Sequence, residues 1–425
     1  MSTEIQPSVT SREELMFLLT EAAQIEHLAI CEYLYMAFSM KLDASDGLSE
    51  PQAAAAQRWE RVISGIAAQE MLHLTLVNNL LTAIGGCPYF GRPFFPIMIK
   101  YFSPPMAMRL IPFGLEALKH SLFFERPEGV NVADVPEDVA FAYGLIPAQD
   151  EPDGIIPNAL AVSTIKGLYY AVKDGLRMLV EKCGERGTFV GPPRAQATQA
   201  YFGWKELVPV TNLESALAAV EVIVEQGEGG GGVHRAESHF GRIARVTAEL
   251  MKIEHADPAF TPAHPVVPSF VRPLSAEPGA VLIQNHTTRA VAELFDASYE
   301  VLLQFLTRFF IHSHETDAML HALADAAVDL MYSAIRPLGR LMARLPVGDH
   351  QPGLTAGPAF EVYPTSYILP HHKAAWYVMQ ERLTEMVRYC DQTLAHAPEL
   401  TVLAQVSAGL LHVREHLASQ QEDDE

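Results

Sequence analysis

A chain of 425 residues that is 49% apolar and 19% charged has a globular composition, with length enough for a large core and two or three domains. Its formal net charge of −21, with no cluster of Lys and Arg to offset it, argues against a nucleic-acid backbone or an anionic membrane as partner. The opening MSTEIQPSVTSREEL has no signal-peptide pattern, no run approaches the ~18 apolar residues of a membrane span, and the four scattered cysteines, without a CxxC, suit a reducing cytoplasm.

Ser11-Arg-Glu-Glu14 reads as a capping box opening an amphipathic helix to about Lys41. After the short break DASDGLSEP, Ser49 and Pro51 start a second helix that Gly85-Gly86 and Pro88 stop, so the two should pack antiparallel. At roughly 30 and 35 residues, or about 45–50 Å, such helices belong in a bundle. Residues 87–112 are rich in Pro and aromatics and predict no single regular element. A short helix over Phe113–Phe124 follows, then an acidic loop to about Asn158. Further helices are predicted over Ser163–Cys183, Thr211–Gly227 and, after the run GEGGGG, His234–His255. Residues 256–285 form a Pro-rich linker. Beyond it the helical period returns over about Thr288–His312, Thr316–Leu345 (kinked at Pro337), His371–Ala395 and Leu400–Ser419, while the insert 346–370 is too polar and Pro/Gly-rich for core. The expected fold is all-α: a four-helix bundle over 1–255 with a helical C-terminal region, 286–425, packed on it.

The chemistry concentrates in Glu70-Met-Leu-His73. Residues three apart on a helix share a face, and this one continues through Ile63, Ile66, Val77 and Leu80, so it should point into a core. A carboxylate and an imidazole buried there require partners. Glu26, on a stripe with Ile30, Tyr33 and Ala37, lies at a similar depth on the first helix, both being roughly 25–30 Å from the hairpin at ~1.5 Å per residue. Glu225, on a stripe with Ala218 and Val222, precedes the glycine run, and His239, on a stripe with Ile243, Val246 and Leu250, follows it. Glu26, Glu70, His73, Glu225 and His239 thus make three carboxylates and two imidazoles. Such a donor set suits iron, with manganese as the alternative, and is close to that of carboxylate-bridged di-metal bundles. Those bundles carry ExxH twice; here the second pair reads Glu237-Ser-His239, which cannot both face inward on one regular helix. Either the site has fewer ligands on that side, holding one ion or an asymmetric pair, or the helix starts irregularly. Glu32, Tyr33 and Glu237 are candidates for the surrounding shell. The polar group His312-Ser-His314-Glu315 reads as exposed punctuation at a helix junction, His371-His372 as the cap region of a helix start after Pro370, and GEGGGG as a flexible hairpin rather than a phosphate loop.

The stretches IEHLAICEYLYMAFSMK, AAQEMLHLTLVNNLLTAIGGCPYFGRPFFP, KGLYYAV, IVEQGEG and ESHFGRI, with RPLGRLMARLPVG and LTAGPAFE further on, resemble the ferritin-like domain of the iminophenyl-pyruvate dimer synthase family, which includes chromopyrrolate-synthase-type enzymes of bisindole biosynthesis. The resemblance implies a ferritin-like fold and a biosynthetic role. The expected function is a non-haem iron-dependent oxidase or oxygenase, holding one or two ions and taking O₂ and a small amino-acid-derived or aromatic metabolite as partners. The aromatics Tyr89, Phe90, Phe94, Phe95, Tyr101 and Phe102 would roof its pocket. The rival readings are a ferroxidase or metal-handling protein, expected to be cage-like, and a non-catalytic scaffold. A homo-oligomer is compatible with all three.

Overall fold

Two long antiparallel helices lead the fold, α1 (Arg12–Ser39) and α2 (Glu50–Ala83), joined by a single 3₁₀ turn at Ala44–Asp46. The structure, a computed structural model, describes residues 9–99, 106–127, 164–227, 234–268, 281–362 and 371–422. The predicted acidic loop, Tyr101, Phe102 and most of the GEGGGG run fall outside the described residues. The capping box is formed as read: the Glu14 backbone N–H donates to Ser11 Oγ at 3.2 Å and the Ser11 N–H to Glu14 Oε2 at 3.0 Å. Ile97–Ile99 and Met106–Met108 pair as two short antiparallel strands, β1 and β2, within the irregular stretch. Next come α3 (Leu115–Phe124), α4 (Ile165–Thr188), α5 (Leu213–Gly227) and α6 (His239–Ala256). Gly184, at φ 69°, interrupts α4 where the sequence predicts its end, and one further turn follows. Around the leading pair, α4 packs on α1 and α5, α5 on α2, and α6 on α2 and α3.

The remaining helices are α7 (His286–Phe310), α8 (Asp317–Leu330), α9 (Arg336–Met342), α10 (His372–His396) and α11 (Val402–Glu422). Between α8 and α9 a π turn at Met331–Ile335 replaces a simple kink. Pro337 has no N–H to give the carbonyl of Ser333, and a widened turn just before it relieves the clash. Asp317–Met342 is, among the described residues, the one helix long and apolar enough to cross a membrane, but 56% of its most apolar window is buried against the protein.

One apolar core runs through both halves. Helix α1 accounts for this, because every residue from Ile25 to Tyr33 is buried; a helix apolar on all sides has neighbours on all sides. One side faces α2 and α4, and the other meets α9, where Gly339 lies so close to Phe38 that a Cβ would overlap the ring. Two segments read as peripheral contribute to this core. Val266 and Val267 of the Pro-rich linker are buried, the Val267 N–H donating to the Thr355 carbonyl at 3.0 Å, and Phe360 of the insert packs fully buried at 5.1–5.2 Å from the rings of Phe295 and Tyr299. Glu315, read as exposed punctuation, is 1% exposed: Arg308 Nη2 donates to it at 2.7 Å and Trp376 Nε1 at 3.1 Å. The rule that a buried acid needs donors overrides its position at a helix junction.

Overpacking at the α1–α9 contact sets a test. Gly339→Ala should cost about 1–3 kcal/mol by forcing Phe38 off its position, read as a lower urea midpoint at unchanged m. An unchanged midpoint would mean that the two helices do not meet at this glycine.

Candidate metal centre

Burying an acid on the inner face of a helix is costly, and among the described residues the bundle does it five times, with Glu26 and Glu32 on α1, Glu60 and Glu70 on α2 and Glu125 at the end of α3, all at most 6% exposed. Glu60 is paired with Arg336 and Arg340. His73 from α2 and His239, the first residue of α6, face Glu26, Glu70 and Glu125 at 2% and 0% exposure. His73 Nδ1 lies 2.8 Å from Glu70 Oε2 and 3.5 Å from Glu26 Oε2. His239 Nδ1 lies 3.0 Å from Glu70 Oε1 and 3.5 Å from Glu125 Oε1. The two imidazoles stack with centroids 5.4 Å apart. Donor atoms of Glu26, Glu70 and His73 fall within 4.8 Å of one another, as do those of Glu70, Glu125 and His239. Two three-residue groups therefore share Glu70, one carboxylate oxygen toward each.

The donors around these groups are oriented. Tyr169 from α4 donates to Glu26 Oε1, and Tyr33 from α1 to Glu125 Oε1 at 2.6 Å. His73 Nε2–H donates to Gln226 Oε1 at 3.0 Å, which turns Nδ1 inward, where it shares a proton with Glu70 Oε2 at 2.8 Å and, without that proton, offers a lone pair to an ion. Neither ring nitrogen of His239 makes a hydrogen bond, although Nδ1 sits 3.0 Å from a carboxylate oxygen. Atoms that converge without a shared proton in line are arranged around a point between them, as ligands are. Oxygen and imidazole donors with no thiolate fit iron or manganese.

Electrostatics give the same picture. Burial and the adjacent Glu70 charge push the Glu26 carboxyl up to about 8. Burial disfavours a charged His73, yet Glu70 and Glu26 raise it to about 10. Burial likewise opposes charge on His239, and Glu70 and Glu125 raise it. Glu70, against its burial, is held well below the usual carboxylate range by His239 and His73. In the metal-free centre, Glu26 and His73 hold protons near neutral pH.

Of the sequence-derived set, the fold brings together Glu26, Glu70, His73 and His239. It does not bring Glu225. The stripe Ala218, Val222, Glu225 lies on the outward side of α5, whose buried residues are Ala216, Ala219, Val220, Ile223 and Val224. A one-residue difference in phase, about 100°, puts Gln226 rather than Glu225 toward His73. Glu125 occupies the vacant carboxylate position. It continues the buried stripe of Leu118 and Ser121, and that spacing was the available signal, hidden by the acidic loop assigned just after it. Glu237 is exposed and pairs with Arg245 at 3.1 Å. The helix is interrupted between it and His239, where Ser238 caps α6 by accepting from the Gly241 N–H at 3.3 Å, so the start of α6 is irregular. Glu32 stands apart from both groups, accepting from the Arg109 N–H at 2.6 Å with His120 Nδ1 at 3.7 Å. Of the expected aromatic roof, Phe90 and Phe95 are used for packing, Phe90 meeting Phe310 at 5.6 Å and Phe95 lying under Arg92, while Phe94 is exposed.

A ferritin-like family model matches residues 19–248, a span that contains all of these positions. The chain is 26% identical to dichlorochromopyrrolate synthase of Lentzea aerocolonigenes over 90% of its own length and 39% of that protein. It is 27% identical to 2-imino-3-(indol-3-yl)propanoate dimerase of Chromobacterium violaceum over 82% of its length and 34% of that protein. It thus spans about two fifths or less of the length of these curated relatives. A crystal structure of a ferritin-like protein from Caulobacter vibrioides matches with a TM-score of 0.47 at 21% identity, covering 77% of this chain and 98% of that one.

Two outcomes follow from the geometry. After iron reconstitution, elemental analysis should find Glu70→Ala depleted of metal altogether and Glu125→Ala of about half, with Glu225→Ala unchanged; the reverse order for Glu125 and Glu225 would put the outer stripe in the site. The second outcome concerns pH. Folded Glu26 and His73 keep protons that the unfolded chain releases near their ordinary values of 4.5 and 6.5, so the metal-free protein should lose stability as pH rises from about 5 to 10. Metal competes with those protons, so the gain in Tm on loading should widen over the same range. A gain that shrinks as pH rises would contradict the assignment.

Proposed function

The chain belongs to the ferritin-like family, and from that premise we propose that it is a metal-dependent oxidoreductase of specialised metabolism acting on a small aromatic, amino-acid-derived molecule. The observation that carries the reading is the pair of buried ligand groups joined through Glu70. Glu26, Glu70 and His73 would hold one ion and Glu70, Glu125 and His239 the other. Iron bound there supplies a one-electron couple and open coordination positions for dioxygen.

The protein's own residues prepare that chemistry. Glu70 holds the two groups at a fixed separation. Tyr169 donates to Glu26 Oε1 and leaves Oε2, the oxygen facing His73, for an ion, while Tyr33 donates to Glu125 Oε1, the oxygen nearest His239, and orients that carboxylate. Gln226 fixes the tautomer of His73. Deep burial excludes bulk water, which strengthens every charge interaction in the centre and protects reactive species from hydrolysis. Both tyrosine hydroxyls are kept firmly protonated by burial and by the adjacent glutamates, so they remain donors across the physiological range.

The substrate class rests on the relatives, whose names specify an indole-bearing imino acid and a chromopyrrolate. We take the substrate to be an imine of an aromatic 2-oxo acid. The iron-loaded chain, given indole-3-pyruvate with ammonia as a source of the imine, should consume O₂ at a rate set by that substrate, and Glu70→Ala should not. Oxygen uptake driven by ferrous iron alone, with mineralisation of hundreds of ions per chain, would establish a ferroxidase instead. No uptake in either case would leave a scaffold.

A further inference from the structure

The C-terminal helices carry a second gathering of metal-binding side chains, remote in sequence from the centre. Asp325 and Asp329 on α8 and His412 and His416 on α11 are each spaced four apart, so each pair occupies one helix face. The faces meet because α8 and α11 pack together. His412 Nε2 lies 3.9 Å from Asp329 Oδ2, and His416 Nε2 lies 3.9 Å from Asp325 Oδ2. All four side chains line one cleft of about 350 Å³, with Tyr201, Phe202 and Val328 as its remaining wall.

Ordinary surface ion pairing explains this poorly. A separation of 3.9 Å is too long for a hydrogen bond, and His416 Nε2 is shut off from solvent with no hydrogen-bond partner. Among the described residues, no Lys or Arg lies within 4 Å of either aspartate to claim it instead. An ion placed between donors spans such a gap. With metal–nitrogen and metal–oxygen bonds of about 2.0–2.2 Å, one cation bridges a nitrogen and an oxygen up to roughly 4.2 Å apart. Two imidazoles four apart on a helix are the arrangement that also chelates zinc in helical His-x-x-x-His sites.

We propose that Asp325, Asp329, His412 and His416 bind one divalent transition-metal ion of the zinc class, which clamps α11 to α8. The two pairs do not converge on one point as they stand, and the side chains are 33–73% exposed, so they close on the ion by rotamer changes that leave both backbones in place.

Zinc stoichiometry tests this. Wild type, His412→Ala/His416→Ala and Asp325→Asn/Asp329→Asn are dialysed against buffered micromolar Zn²⁺ and analysed for zinc per chain. All three keep the buried centre, so its content cancels in the comparison. Wild type should hold one zinc more than the histidine variant, and cobalt substitution should give it a visible absorption that this variant lacks. The aspartate variant should need at least tenfold more zinc to reach the wild-type content, and it carries the test if the histidine variant misfolds. Equal stoichiometry and equal half-saturation in wild type and a folded variant would overturn the site.

Discussion

Removing carboxylates from water is the constraint on which this molecule depends. Glu26, Glu70 and Glu125 converge in the bundle, and among the described residues no Lys or Arg side chain forms an ion pair with any of them. Each unpaired buried carboxylate would cost several kcal/mol, so the fold must supply positive charge by another route. Metal-free, it does so with protons on His73 and Glu26, while Glu70 and Glu125 favour charge on His239. The same oxygens and nitrogens, deprotonated, could hold a metal ion. Tyr169 and Gln226 serve both states, because their bonds go to atoms that face away from the centre, Glu26 Oε1 and His73 Nε2.

Much of this was legible in the sequence because helical periodicity and side-chain chemistry agree there. Glu70 and His73 share a turn with an uninterrupted apolar stripe, and Glu26 and His239 each lie on one, so their inward direction follows from spacing alone. On α5 the same reasoning fails. The stripes through Val222 and Ile223 are both apolar, and only the packing of α5 on α2 and α4 selects the one that ends at Gln226. Glu125 escaped notice because its helix is only ten residues long and its neighbours downstream are acidic.

The Pro-rich stretches teach a related lesson. Residues 256–268 and 346–362 have no regular period, yet they bury Phe260, Val266, Val267, Val347, Ala356 and Phe360. Their backbone groups pair with one another and with the end of α1, as in the bond from the Lys41 N–H to the Pro262 carbonyl at 3.0 Å. Such pairing satisfies the polar backbone that would otherwise forbid burying a loop, and it joins residues more than two hundred apart. No local pattern encodes it.

The all-round burial of α1 has a consequence for how this sequence is free to change. Most helices keep a wet side on which substitutions are nearly neutral, and drift collects there. Over Ile25–Tyr33 there is none: Glu26 looks toward Glu70 and His73, while its neighbour His27 meets Tyr299 of α7 on the far side. A substitution that repacks the C-terminal helices therefore presses on the helix that positions Glu26, and the reverse holds as well. The two halves of the chain are bound to evolve as one, with compensating changes in α7 and α9 accompanying any change along this stretch of the first helix.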